Sequence, residues 1–340
     1  MKNKITRDHV ARLAGVSHMT VSRVLNNRGY VAQKTKKKVL DAAAKLNYRR
    51  NIFASSLRSK KSYAIGFAVP TFKHGFYARL LNLLEKNCRE EGYHIVAVQG
   101  MLKGGNVSFD WSGFEFLFAR QIDGLIMDLM LPPSHLERLS SETIPIISID
   151  NQSVNEKFFF VGSEDCLGME QLCNYIIGMG HRKIAFLTGT KGSYTNNQRL
   201  KGYKTALKKN GIPYDPKLLA NSEYMLNGGF QATCSLLDSG AEFTAIIGAN
   251  DYAAIGAISA LHKKGIKVPS EVSVAGFTGD EIGNYTTPTL TTMAQPVEEI
   301  GKKALGILMD LINKRKSSAP GKILLPTKLI VRDSVIERTR

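Results

Sequence analysis

Residues 10–26 read Val10-Ala11-Arg12-Leu13-Ala14-Gly15-Val16-Ser17-His18-Met19-Thr20-Val21-Ser22-Arg23-Val24-Leu25-Asn26 and contain two short helical patterns parted by a glycine. Thr6 stands where it can cap the first, in which Val10, Ala11, Leu13 and Ala14 recur at helical spacing. Gly15 accepts the left-handed conformation that ends a helix. Ser17 can cap the second, which runs through Asn26 with Val21, Val24 and Leu25 turned inward. Beyond Asn27-Arg28-Gly29-Tyr30, a third helix from about Lys34 to Leu46 carries a stripe of Val39, Leu40, Ala43 and Leu46. Two short helices around a tight turn, braced by a third, predict an all-α helix-turn-helix head over residues 1–48.

The charge points the same way. The chain has 340 residues and a formal net charge of +17. Residues 1–61 hold sixteen Lys and Arg against Asp8 and Asp41 alone, so nearly all of the excess sits there. Such density suits a polyanion, and nucleic-acid phosphate is the common one. A membrane-surface helix would need a broad, bulky apolar face, which this segment lacks. In a helix-turn-helix the second helix enters the major groove, so its early polar positions, His18, Met19, Ser22 and Arg23, would meet base edges. Arg23 suits a bidentate guanine contact or a phosphate; His18 and Met19 suit base contact or packing. Ser17, Thr20 and Asn26 suit phosphates, and Thr6 and Tyr30 complete the candidate DNA-contacting set in the head.

The series Val10 to Ser17, Thr20 to Asn26 and Lys45-Leu46-Asn47-Tyr48 resembles the head of the lactose-repressor (LacI/GalR) family. Residues 49–61, Arg-Arg-Asn-Ile-Phe-Ala-Ser-Ser-Leu-Arg-Ser-Lys-Lys, read by themselves as a basic linker or a short helix too brief to be stable alone. The resemblance implies a hinge helix that folds when two copies meet in the minor groove. Leu57 would wedge between base pairs there, with Asn51 and Ala54 on the same side. Arg50 stands where the family usually has proline, which removes a pre-set first turn and adds a phosphate contact.

From Tyr63 onward short apolar runs alternate with amphipathic helical patterns. The runs are 63–69, 94–98, 124–129, 144–149, 158–162, 183–187, 244–249 and 272–276; helices such as 76–91, 166–179, 196–210, 251–264 and 297–314 separate them. This predicts parallel sheets flanked by helices, an α/β domain over 62–340. It divides into lobe 1, about 62–161 plus 294–324, and lobe 2, about 162–293 plus 325–340. Asp123-Gly124-Leu125-Ile126, Gly180-His181-Arg182-Lys183-Ile184-Ala185, Asn250-Asp251, Pro288-Thr289-Leu290-Thr291-Thr292 and Val331-Arg332-Asp333-Ser334 extend the resemblance. It implies an effector and dimerisation domain built like a periplasmic sugar-binding protein. The whole would be a homodimeric, allosteric, DNA-binding transcription regulator, by family habit a repressor, acting on double-stranded operator DNA.

The resemblance implies that Phe72, His74 and Phe76 line one wall of the cleft between lobes. Asp165, Ser193, Thr195, Arg199, Tyr224, Asn250 and Phe277 would line the other, with Gln295 at a crossover. Polar groups beside aromatic rings suit a sugar or sugar phosphate. Tyr224 and Phe72 also suit core packing, and Arg199 also suits a salt bridge. Many relatives have an aspartate where this chain has Thr278, so the loss of a carboxylate is expected to favour an acidic ligand.

Enzyme signatures are absent: no GxxxxGK[ST], HExxH or GxSxG occurs, and Gly178-Met179-Gly180 lacks the strand context of a dinucleotide turn. Four cysteines without CxxC spacing, His74, His94, His181 and His262 without ligand clustering, and no apolar leader predict a cytoplasmic protein without metal or cofactor. A sugar-binding transport protein is the rival from another class; within the family, a non-sugar metabolite or a phosphorylated protein partner could replace the sugar.

Overall fold

The computed structural model describes residues 5–25, 29–48, 61–103, 106–108, 111–151, 158–315 and 320–338. It falls into two compact units, Met1–Ser62 and Tyr63–Arg340. Asn26, Asn51, Ala54 and Leu57, expected at DNA, lie outside the described residues.

Among the described residues the first unit holds three helices, α1 (Arg7–Ala14), α2 (His18–Leu25) and α3 (Gln33–Lys45). The Thr6 backbone N–H donates to His9 Nδ1 at 3.0 Å, tying down the start of α1. Gly15 ends that helix at φ 65°. Ser17 Oγ accepts from the Thr20 N–H at 3.1 Å and so caps α2. Val10, Ala14, Val21, Val24, Val39 and Ala42 form the buried centre. Leu13 and Leu40 do not join it: they stay 51% and 47% exposed. Helices this short enclose little interior, and alanines and valines fill it.

The second unit has two six-stranded sheets. The first runs β13 (Lys322–Leu325), β7 (Phe159–Ser163), β6 (Ile146–Ile149), β5 (Gly124–Met127), β1 (Ala64–Val69) and β2 (His94–Gln99), parallel throughout. The second runs β14 (Lys328–Ile330), β12 (Thr291–Ala294), β11 (Ser273–Thr278), β10 (Ala245–Gly248), β8 (Ile184–Thr188) and β9 (Leu219–Asn221), parallel except for β14. A separate hairpin joins β3 (Met101–Lys103) to β4 (Asn106–Ser108).

Central strands are apolar because helices cover both faces: every residue of β5, β6, β10 and β11 is buried. In lobe 1, α4 (Gly75–Glu90) and α11 (Val297–Ile312) pack one face through Leu80, Leu84, Ile300 and Leu308. Trp111, Phe114 and Leu117 of α5 (Ser112–Ala119) with its cap, and Leu139 of α6 (Pro133–Ser140), pack the other. In lobe 2, α7 (Asp165–Gly178) and α8 (Tyr194–Lys209) cover one face, and α9 (Leu226–Asp238) and α10 (Asp251–Lys263) the other. The chain passes between lobes after β7, after β12 and between β13 and β14, which brings the carboxyl ends of both sheets to face one cleft.

Candidate functional site

In the head, Ser17, His18, Met19 and Arg23 all lie on the outside of the short α2 or at its cap, Met19 being 65% exposed. Thr6 is exposed as well, and Tyr30 is 95% exposed; Thr20 and Ser22 are half-buried. Packing therefore does not explain His18 or Met19. Val21 and Val24 hold the opposite face of the helix in the core, so its polar side is presented as one rigid surface. His18 Nε2 lies 3.9 Å from Asp8, both on the surface.

In the second unit, the loops after the strands surround a cavity of about 110 Å³ walled by both lobes. Eight of the eleven expected cleft residues line it: His74, Phe76, Ser193, Thr195, Arg199, Tyr224, Asn250 and Gln295. Three do not. Phe72 packs its ring on Phe67, 6.2 Å between centroids, in the core of lobe 1. Asp165 and Phe277 lie one layer behind the wall and hold Arg199 in place. Arg199 Nε and a terminal nitrogen each sit 2.9 Å from Asp165 Oδ2, while the other terminal nitrogen donates to the Ala249 carbonyl at 2.6 Å. The guanidinium lies 4.1 Å from the centroid of the Phe277 ring. Burial opposes the charge of Arg199, but Asp165, Tyr224 and Asp150 together outweigh it and raise the pKa. Arg199 is thus both salt bridge and cavity wall.

Helix starts fix further groups. Ser193 caps α8 by accepting from Asn196 N–H, and Asn250 caps α10 by accepting from Ala253 N–H at 2.9 Å. Asn250 Nδ2 also donates to the Tyr224 carbonyl at 2.8 Å and lies 3.4 Å from His74 Nδ1 across the cleft. Burial pushes His74 down to about 4, so it is neutral at ordinary pH. Gln295 Nε2 donates to Asp150 Oδ2 at 2.9 Å and to Ser163 Oγ at 2.7 Å, and Ser163 in turn donates to Asp165. This chain of hydrogen bonds links two of the three passages between lobes. Tyr224 Oη pairs with Thr195 Oγ1 at 3.1 Å, and its ring passes so close to Gly189 that a Cβ there would lie 2.0 Å away.

The sequence reading missed the acids. Asp128, Asp150 and Asp280 all line the cavity and are at most 6% exposed. Asp128 accepts from Tyr77 Oη at 2.8 Å and Asn151 Nδ2 at 2.9 Å, and burial still pushes it up to about 6. Burial and the neighbouring acids Asp165 and Asp128 raise Asp150 further. Asp280 is raised to about 6 by burial, against the opposing charge of Arg79. Thr278 removes a carboxylate at its own position only, and the cleft keeps its negative charge. A carboxylate enters two positions later, and two more enter from lobe 1.

The backbone is also unusual here. Asp150, Glu223, Tyr224 and Thr278, at φ 52°, 51°, 60° and 122°, occupy the region that favours glycine, and all four line the cavity. Strain held at a cavity wall is a mark of a functional site.

Among the described residues no helix is long and apolar enough to cross a membrane, and no group of His, Cys, Asp and Glu could hold a metal ion. Residues 6–51 match the model for bacterial regulatory proteins of the lacI family, and 173–335 match that for a periplasmic binding protein-like domain. A helix-turn-helix head joined to a two-lobed α/β domain defines this class of transcription regulators, and the chain belongs to the lacI family. It is 34% identical over 339 residues to the probable HTH-type transcriptional repressor ExuR of Bacillus subtilis, covering 97% of this chain and 98% of the relative. The lac repressor dimer bound to operator and the anti-inducer ONPF superposes with a TM-score of 0.85 at 27% identity, over 98% of this chain and all of that one. A CelR–cellobiose complex, also a transcriptional regulator, gives 0.73 at 26%, over 97% and 99%.

Proposed function

We propose that this protein is a cytoplasmic, homodimeric repressor that grips operator DNA through its head and releases or tightens that grip when a small polyhydroxylated molecule fills the cleft. The observation that carries the reading is the pairing of a rigidly held, solvent-facing α2 with a polar cavity walled by both lobes. Arg23, Ser22, His18 and Met19 read base edges, while Thr6, Ser17, Thr20, Asn26 and Tyr30 hold the backbone. Residues 49–61 form the hinge, with Asn51, Ala54 and Leu57 at the minor groove. The relatives support the partners: one is named a repressor, one is a dimer on operator, one holds a disaccharide.

The cleft residues form two sets of hydrogen-bonding groups. Arg199 and Asn250 donate, while Asp128, Asp150 and Asp280 accept and Gln295, whose amide hydrogens go to Asp150 and Ser163, offers its carbonyl oxygen, beside the Phe76, Tyr77 and Tyr224 rings. Hydroxyls satisfy both sets; a phosphate or carboxylate satisfies the first and opposes the second. Because the walls come from two lobes, the ligand binds one lobe arrangement better than another, and that differential affinity drives the change at the heads.

The test is a gel-shift titration of the intact protein and of a variant lacking residues 1–61 on the fragment upstream of its own gene. The intact protein should bind with affinity falling steeply as salt rises. Equal binding by the truncated protein would refute the reading.

A further inference from the structure

The charge inventory of the second unit is lopsided at the cleft. Its buried acidic residues, among those described, are Asp128, Asp150, Asp165, Asp251 and Asp280. All five lie in or directly behind the cavity wall. Among the described residues the only buried arginine or lysine is Arg199, and Asp165 absorbs its charge. Arg79, half-buried on α4, is the cation that opposes the rise of Asp280, and it donates to the Gly279 carbonyl at 3.1 Å. His74 opposite is held neutral. Thr292 Oγ1 and the Asp280 N–H both donate to Asp251, so that carboxyl is satisfied. Asp280 is different. It is 3% exposed, it lines the cavity, and its Oδ1 receives no protein hydrogen bond among the described residues. Gly75 of the opposite lobe lies against it and leaves it room only by lacking a side chain, since a Cβ there would sit 2.4 Å from Oδ1. An isolated buried acceptor is costly, and a surplus of buried carboxylates more so, unless a donor, preferably a charged one, meets them.

We infer that the effector carries a protonated amine beside its hydroxyls, an amino sugar or amino polyol, and that Asp280 is the carboxylate that receives it. The inference rests on the cleft being the effector site. An ammonium group brings three donors and one positive charge, which answers both the orphaned oxygen and the charge surplus. A uronic acid or sugar phosphate would add negative charge to a wall that already repels it.

Isothermal titration of the full-length protein at pH 7.5 tests this with D-glucosamine, D-galactosamine and D-mannosamine. Each is set beside its parent hexose and the matching hexuronic acid. At least one amine should bind ten-fold or more tighter than its parent, with the acid weakest. In Asp280→Asn that preference should collapse toward the parent sugar, with folding checked by circular dichroism. Should that variant fail to fold, Asp128→Asn should narrow the preference. A parent or an acid binding as tightly as the amine overturns the inference, as does silence from all three amines. A gel shift run in parallel keeps the outcomes apart: a protein that binds no promoter fragment fails as a regulator, whatever calorimetry reports.

Discussion

Substituting Asp165 by Asn strands the Arg199 guanidinium in a site where both groups are at most 4% exposed. Breaking a buried pair from one side costs about 3–5 kcal/mol, far more than the pair contributes over an apolar replacement. Asp165→Asn should therefore lose stability on that order in urea unfolding and also weaken the effector, because Arg199 loses its seat. An unchanged unfolding midpoint would contradict it. In the head, Arg23→Ala should cost about 1–3 kcal/mol on operator and much less on scrambled DNA if Arg23 reads a base; equal losses on both would assign it to phosphate. The family resemblance pointed to Arg199, Asn250 and Gln295, and their polar side chains suit a hydroxylated ligand. It did not separate the cavity wall from the layer behind, which is why Phe277 and Asp165 were expected one layer too far forward. The missed acids did leave a trace. Asp128 follows the fully buried β5 and Asp150 the fully buried β6, where a charge has little chance of reaching solvent.

Helices α7 and α8 touch through Gly202, where a Cβ would lie 2.2 Å from the Cys166 carbonyl and 3.0 Å from the Glu170 nitrogen. Backbone cannot step aside as a side chain can. Gly202→Ala should cost about 1–3 kcal/mol by overpacking, read by thermal or urea unfolding; a neutral result would mean that the helices part freely. The eight runs read as strands are all strands; seven are central, where parallel strands are continuous apolar segments, and β2 is an edge that kept an apolar run. Those left unread, β3, β4, β9, β12, β13 and β14, are three or four residues long. β9, β13 and β14 are edge strands, and β13 and β14 begin with exposed lysines, Lys322 and Lys328. Edges avoid the apolar signature that would reveal them, since a lysine there discourages pairing with other chains. Leu13 and Leu40 mislead in the opposite direction: their spacing fits a helical stripe, but a three-helix head has room only for the smaller side chains beside them.

Across the whole molecule, buried acids make stability depend on pH. Asp128 and Asp280 are raised to about 6 and Asp251 to about 7, each chiefly by burial, and Asp150 is raised as well. A carboxyl raised above its unfolded value near 3.9 contributes stability that is full below that value and is lost as pH climbs through the folded value. His74, lowered to about 4, and His181, also lowered by burial, act in reverse, losing stability as pH falls below their unfolded value near 6.5. The acids are more numerous, so the effector-free protein should be more resistant to urea at pH 5.5 than at pH 8. A midpoint that rises steadily with pH would mean that the aspartates are not buried as described.

Lobe 1 takes α11 and β13 from chain that follows most of lobe 2. On a ribosome, its first sheet must wait with an open flank and an uncovered apolar face, displaying Ile65, Phe67 and Ile147, until residue 325 has emerged. The DNA-gripping helices come out first and need nothing downstream for their core. A nascent chain thus owns its reading head well before it owns any means of being told to let go, and a break after residue 290 would leave that head attached to a lobe that cannot close its own sheet.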